Sequence, residues 1–534
     1  MAATSTGTLP LVVVADPIAS QGLETLRGHA RVELVHGRSP EALRAALQDA
    51  EALLVRSETR VTADLLDAAP RLRVVGRAGA GVDTIDVDAA TVRGVLVVNA
   101  PGGNAVAAAE HTLALLFALA RRVAPADASM KRGEWARSRY LGTELAGKTL
   151  GLVGLGRVGG EVARRALGLD MHVLVFDPYV IDEHVRRSGY EPVDLEALLP
   201  RADFVSLHVP LTEASRHLIN AERLAAMRSG AFLVNCARGG LVDEAALLQA
   251  LDAGSLAGAG LDVFSREPAG PDDPLPRHPR VVATPHLGAS TVEAQVNVAS
   301  QVSQDVLAVL LGLPAQFAVN APSVRADQAQ VVQPFIGLAR MLGTLATQLA
   351  DGRLRSAEVT YRGEIASRDV SAITAAAAQG LLEPISETPV NLVNARLLAL
   401  RRGLDIAETR STTPEHYTSL VRVTVRTDRG STSVAGAVFD GTAHVVQIDD
   451  YDLQLAPTPG YMLVTQHTDR PGMIGLVGTV LGQADINISS MQVGRQAPRG
   501  QALMLLAVDE PVPAAVLDRI RAAASVTSIK TIKL

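Results

Sequence analysis

The sequence predicts an α/β fold: two lobes built on parallel sheets, a mixed α/β module after them, and a small βαββαβ unit at the end. Three observations carry that prediction. Over roughly the first 320 positions, short apolar runs alternate with segments that are apolar at helical spacing. A polar, proline-bearing stretch at 320–333 then reads as a linker. The last segment, 461–534, reads strand, helix, strand, strand, helix, strand, which is the ferredoxin-like pattern.

In the first lobe the strands are expected at 11–15, 52–55, 73–76 and 95–99, with a helix at 40–49 between them. A long helix pattern at 105–122 leads into a second series, whose first strands fall at 149–153 and 172–176. Strand and helix in alternation require parallel strands covered on both faces, and two such series place a cleft between two lobes. Beyond the linker, strands such as 420–427 mix with helices to about 457. The expected division is 9–103 with 288–320, then 104–287, 321–457 and 460–534.

At 534 residues the chain exceeds what one core organises, in line with several domains. Hydrophobic residues at 48% and charged residues at 20% exclude general disorder. A formal charge of -6 offers no basic excess, so neither nucleic acid nor an anionic membrane is an expected partner. The lone cysteine, Cys236, excludes an intramolecular disulfide and a cysteine-cluster metal centre, and no metal site is expected. Residues 1–8 lack the basic start and apolar core of an export signal, and the apolar helical stretch 112–120 is too short to span a bilayer. The expected location is cytoplasmic.

Gly154-Leu155-Gly156-Arg157-Val158-Gly159 follows the strand at 149–153 and opens a helix. The next strand ends in Asp177, 18 residues past Gly159 (177 − 159), close to the spacing of ~20 that a dinucleotide-binding unit uses. Gly154 suits a tight turn, Gly156 lets the backbone approach a pyrophosphate, and Gly159 allows the helix to pack closely. Asp177 can accept from both adenosine ribose hydroxyls and repels a 2′-phosphate. Pro178 and Tyr179 bring no cation for that phosphate, so the expected cofactor is NAD in a Rossmann-type domain. A structural glycine turn is the alternative.

Three ionisable residues follow strands of this second lobe. Arg238 comes after an apolar run at 231–234, Glu267 after 260–264 and His286 after 281–284. The carboxyl ends of such strands line the ligand crevice. Moving hydride between a secondary alcohol and NAD needs a group to take the hydroxyl proton, and histidine suits neutral pH. A carboxylate on the other imidazole nitrogen fixes the tautomer, and an arginine can fork onto a 2-hydroxy acid. Singly, each is an ordinary surface or loop residue; the joint placement carries the reading.

At Gly154–Gly159, 235–240, 261–264 with Glu267, and 285–290, the chain resembles the D-isomer-specific 2-hydroxyacid dehydrogenases. The resemblance implies a two-lobed dehydrogenase with a flavodoxin-like substrate domain. In it Arg238 binds the substrate carboxylate, Glu267 orients the histidine and His286 is the acid/base. It also places Arg157, Val158, Val209, Cys236, Ala237, Asp262 and Gly288 around the cofactor. Formate dehydrogenases of this family carry glutamine where Glu267 stands.

The likeness sharpens to the long, ACT-bearing branch. Residues 77–83, Arg-Ala-Gly-Ala-Gly-Val-Asp, resemble its substrate loop, and Asn104 with Ala109-Glu110-His111 its hinge helix. This implies substrate contacts from Arg56, Ser57, Gly79, Ala80, Gly81 and Asn104, and from Arg137 reaching a neighbouring subunit of a homodimer or homotetramer. Ala80 departs from the threonine of many relatives. The implied reaction is NAD-dependent oxidation of 3-phospho-D-glycerate to 3-phosphohydroxypyruvate, the first step of the phosphorylated route to L-serine. A hydroxypyruvate or glyoxylate reductase and an NAD-sensing co-repressor are the alternatives; both usually lack the two C-terminal modules.

His467-Thr468-Asp469-Arg470-Pro471-Gly472 and Asp485-Ile486-Asn487-Ile488 resemble an ACT regulatory domain. The resemblance implies L-serine as effector, held between paired units by His467, Asp469 and Asn487. A module used only for dimerisation is the alternative. Residues 390–396 and 402–404 resemble an allosteric substrate-binding domain, with its ligand left open.

Overall fold

The computed structural model describes residues 9–322, 324, 328–456, 460–523 and 525–534. The expected leaderless start at 1–8 and part of the expected linker, 323 and 325–327, lie outside the described residues. The first sheet is parallel, with β1 (Leu11–Val14), β2 (Arg31–Leu34), β3 (Ala52–Val55), β4 (Val74–Arg77) and β5 (Leu96–Asn99) in the order β2-β1-β3-β4-β5. That is the flavodoxin-like order. Val12, Val14, Leu54 and Val74 bury one face beneath Val298, Val302 and Val306 of the helix Val292–Leu310, so the chain returns to its first sheet after leaving it. Fully burying each such side chain contributes about 1.5–3 kcal/mol before the ordering cost.

The second sheet holds β6 (Thr149–Val153), β7 (His172–Phe176), β8 (Glu191–Pro192), β9 (Phe204–Leu207), β10 (Ala231–Asn235), β11 (Leu256–Leu261) and β12 (Val281–Ala283). They lie in the order β12-β11-β10-β9-β6-β7-β8, all parallel. The strand order reverses between β6 and β9, the switch point where a dinucleotide binds in this fold. The expected strand at 260–264 is displaced. β11 ends at Leu261, and Val263 and Phe264 are buried beyond it without pairing. Burial, not strand geometry, made that run apolar.

The third sheet is mixed: β13 (Leu354–Gly363), β14 (Asp405–Ser411), β15 (Ser419–Thr427), β16 (Ser431–Phe439), β17 (Thr442–Ile448) and β18 (Tyr451–Leu455) in the order β14-β13-β15-β16-β17-β18. The helix Ala329–Leu349 packs on it and begins inside the segment expected as linker. The last unit contains β19 (Tyr461–Thr468), β20 (Ile488–Arg495), β21 (Gln501–Val508) and β22 (Val526–Lys533). They form an antiparallel sheet ordered β20-β21-β19-β22, with both helices of the unit on one face. The other face, with Met462, Val464, Leu503, Leu505 and Ile532, joins the core of the third-sheet module. No helix among the described residues is long and apolar enough to cross a membrane.

Candidate active site

β6 delivers the chain into the glycine turn. Gly154 takes φ +97°, and a side chain there would meet the His208 carbonyl and Val209, which places Val209 against the turn. A Cβ on Gly159 would collide with the Gly154 carbonyl, so helix and turn touch. Gly156 caps the helix Arg157–Leu167, and the space where its Cβ would stand is open. An open helix N-terminus beside a tight turn is a fitting seat for a pyrophosphate. Asp177, at the end of β7, accepts from the Leu155 N–H at 2.8 Å and the Tyr179 N–H at 2.9 Å, which fixes its carboxylate beside the turn. Arg157 places its guanidinium 5.3 Å from the Phe317 ring centroid. Val158 follows it in the first turn of the same helix.

Across the sheet, the His286 Nδ1 and Glu267 Oε2 lie 2.7 Å apart. The other oxygen of Glu267 accepts from the Phe264 N–H at 3.1 Å. His286 is about half exposed and sits in left-handed backbone at φ 55°. What holds it there is Asp262, 1% exposed. The Asp262 carbonyl accepts the His286 N–H at 2.9 Å. Its carboxylate accepts from the N–H of Leu287 (2.7 Å) and Gly288 (2.8 Å), from the Thr284 hydroxyl (2.6 Å) and from the His111 Nε2 (3.1 Å). Burial pushes the Asp262 carboxyl up, but these hydrogen bonds outweigh it and hold its pKa below the ordinary value.

Cys236 lies close by, and His111, Cys236 and Asp262 bring ligand-capable atoms within 4.8 Å of one another. Both carboxylate oxygens are already taken by donors, and burial pushes the thiol up to about 12, so it stays protonated. His111, bonded to both Asp262 and Thr284, ties the His286 loop to the helix Ala105–Ala120. Asn104 stands at the N-cap of that helix, with its carbonyl accepting the Ala108 N–H.

Arg238 leaves the end of β10. The Asn235 amide donates to its carbonyl at 2.9 Å, and the Asn235 Oδ1 accepts the Ala237 N–H at 3.1 Å. The Arg238 Nε then reaches the first lobe and donates to Asp83 at 3.1 Å. A side chain at Gly81 would collide with the Arg238 guanidinium, and one at Gly79 with that of Arg77. The Ala80 carbonyl accepts from the Asn99 amide at 2.5 Å, which tethers this loop to β5. Arg77, at the end of β4, is largely enclosed, and its Nε has no partner among the described residues. Burial, then the neighbouring charge of Arg238, pulls its pKa below the usual arginine range; Arg56 adds to that repulsion. Three guanidinium groups, Arg56, Arg77 and Arg238, thus lie near enough for their charges to interact. Ser57 is exposed beside Arg56.

The sequence pattern draws attention to Arg56 and Arg238, but not to Arg77 or Asp83 as individual site residues. Arg77, the last residue of β4, and Asp83 both lie in the 77–83 loop that the resemblance had set apart. Arg137, in a short 3-10 helix, is exposed and makes no side-chain bond among the described residues.

Of the three residues expected to hold an effector, the structure keeps His467 and Asp469 near each other and sets Asn487 apart from them within one chain. His467 is 2% exposed, and burial lowers its pKa, which favours the neutral form. Asp469 accepts from Arg495 at 3.4 Å and from the Arg499 N–H at 3.1 Å, at the far end of β20. Asn487 precedes β20 and donates to Asp509 at 2.7 Å. The length of that strand, roughly 23 Å, lies between them.

Comparison with known proteins agrees with this architecture. Residues 113–288 match the D-isomer specific 2-hydroxyacid dehydrogenase, NAD binding domain family, 331–449 the D-3-phosphoglycerate dehydrogenase intervening domain, and 461–525 the ACT domain. The chain is 43% identical to the D-3-phosphoglycerate dehydrogenase of Archaeoglobus fulgidus over 95% of its own length and 97% of that protein's. It is 42% identical to the enzyme of the same name from Bacillus subtilis, over 98% and 99%. Among solved structures, the D-lactate dehydrogenase of Aquifex aeolicus, complexed with NAD and lactic acid, superposes with TM-score 0.51 at 30% identity. That match covers 57% of this chain and 96% of that one.

Proposed function

Because this chain belongs to the D-3-phosphoglycerate dehydrogenases of the 2-hydroxyacid dehydrogenase family, we propose that its cleft residues divide the work on 3-phospho-D-glycerate as follows. NAD, when bound with its pyrophosphate at Gly154–Gly159, supplies the hydride acceptor. His286 takes the C2 hydroxyl proton on its Nε2, since its Nδ1 faces Glu267. Glu267 holds the tautomer and stabilises the imidazolium that forms. Arg238 forks onto the substrate carboxylate and polarises the C2 oxygen, and Asp83 holds its Nε in place. Arg56 and Arg77 take the phosphate, with Ser57, the 79–81 loop and Asn104 completing the contacts. The product is 3-phosphohydroxypyruvate, and the proton leaves His286 for solvent.

The observation that carries this reading is the convergence of three guanidinium groups, Arg56, Arg77 and Arg238, close enough for their charges to interact. A substrate with both a carboxylate and a phosphate needs that much positive charge; a plain 2-hydroxy acid does not. The test is initial-rate NADH formation with 3-phospho-D-glycerate against D-glycerate. The phosphorylated substrate should have the higher kcat/KM by about 10²-fold or more, the worth of one or two charge-assisted pairs. Equal efficiency refutes the phosphate assignment.

Assembly belongs to the same proposal. Trp135 and Leu141 are exposed around Arg137, which suits an arm laid against a second copy, with Arg137 entering its cleft. β20 is an edge strand whose Met491 and Val493 are partly exposed. Antiparallel packing of two such edges exchanges their ends, so Asn487 of one chain meets Asp469 of the other. L-serine bound there, with His467 beside it, is the proposed effector. A cytoplasmic location, and the domain limits 9–103 with 288–320, 104–287, 321–457 and 460–534, complete the reading.

A further inference from the structure

Asp16 follows β1 and is 1% exposed, yet no step described above uses it. Its carboxylate serves a single loop. Oδ2 accepts the Arg56 N–H at 2.5 Å and the Glu58 N–H at 3.2 Å. Both oxygens accept the Thr59 N–H, at 3.0 and 3.2 Å, and Oδ1 also accepts the Thr59 hydroxyl. Among the described residues these N–H groups have no other acceptor. The loop leaves β3 with no ladder left to pair with, so its shape depends on this one carboxylate.

The charge matters as well. Asp16 is near enough to Arg77 to favour its charged form, in a region where Arg56 and Arg238 oppose it. A buried negative charge behind the loop adds to that of Asp83 in offsetting the repulsion among the three cations.

We propose that Asp16 is the positioning residue of the substrate's phosphate subsite: it fixes the backbone of 56–59 so that Arg56 presents its guanidinium preorganised. This rests on the reading of Arg56 as a phosphate contact. The rival is an ordinary turn-building aspartate, whose loss lowers stability and spoils everything together.

The test uses the full-length enzyme, with Asp16→Asn, Thr59→Val, Arg56→Ala and the Asp16→Asn/Arg56→Ala pair. KM and kcat are measured for 3-phospho-D-glycerate, D-glycerate and NAD. Asp16→Asn keeps the side-chain shape, one acceptor oxygen and no charge. It should raise KM for 3-phospho-D-glycerate about tenfold, leave kcat within about threefold, and leave KM for NAD unchanged. KM for D-glycerate should rise less. Thr59→Val, which removes only the hydroxyl bond, should move the same parameter in the same direction by less. The pair should be no worse than Arg56→Ala alone, since the two act through one contact. An unchanged KM for 3-phospho-D-glycerate in Asp16→Asn, while Arg56→Ala raises it, overturns the positioning role and spares the phosphate reading. An unchanged KM in Arg56→Ala overturns the phosphate reading and this inference with it. A parallel loss of kcat and NAD affinity, or full additivity in the pair, assigns Asp16 to the fold alone. If Asp16→Asn does not fold, Thr59→Val decides between the same outcomes.

Discussion

Replacing Asp262 by asparagine should cripple the enzyme without touching the groups that do the chemistry. The carboxylate accepts four hydrogen bonds through two oxygens in a 1% exposed site. An amide offers one oxygen and one NH₂. In one orientation the NH₂ faces the Gly288 N–H, in the other the Leu287 N–H, so one buried backbone donor is always opposed by another donor. That costs about 1–3 kcal/mol, and the three remaining bonds weaken by roughly 1 kcal/mol each once the charge is gone, about 4–6 kcal/mol in all. The freed N–H groups belong to the two residues after His286, whose φ of 55° is then unsupported. A drift of about 1 Å in a catalytic group costs on the order of 10² in turnover. The assays are urea unfolding of the holoenzyme and steady-state kinetics. A sign follows for pH too. A carboxyl with a folded pKa below its unfolded value contributes stability above the unfolded value of about 3.9, and that contribution is lost as pH falls through the lowered pKa. The variant should lack this acid-labile component. A variant with unchanged unfolding midpoint and turnover refutes the network.

Asp177→Ala should let NADP compete with NAD. Removing a carboxylate about 4 Å from a 2′-phosphate is worth about 1–3 kcal/mol after solvent screening, or roughly 10–100-fold in relative kcat/KM, measured with both cofactors. If L-serine is the effector as proposed, Asn487→Ala should relieve its inhibition while uninhibited turnover stays near wild type, because Asn487 takes no part in the proposed chemistry. Calorimetry of the intact oligomer separates a lost serine site from a site that binds without inhibiting.

The parallel lobes were legible because their central strands are apolar throughout. β6 and β7 lie at the positions expected from the sequence, 149–153 and 172–176. β2 was invisible because it is a half-exposed edge strand in which Arg31 and Glu33 alternate with Val32 and Leu34. The helix from Ala329 was hidden because Pro334, inside it, reads as a breaker. In the site, strand-end position draws attention to Arg238, Glu267 and His286 one at a time. What it leaves out is partnership across the chain. Asp16 meets Arg56 over 40 positions, His111 meets Asp262 over 151, and Asp83 meets Arg238 over 155. No local pattern records those contacts, because each depends on where the two lobes and their strands come to rest.

The central claim is that His286, held by Glu267, moves the substrate proton, and the most direct measurement is a single-turnover rate of NADH formation. Wild type, His286→Ala and Glu267→Gln are compared with 3-phospho-D-glycerate and NAD both saturating. The account predicts that His286→Ala slows the chemical step by about 10²–10⁴. Glu267→Gln should fall between that variant and wild type, with NAD affinity nearly unchanged in both. A His286→Ala enzyme that forms NADH at the wild-type single-turnover rate would contradict it.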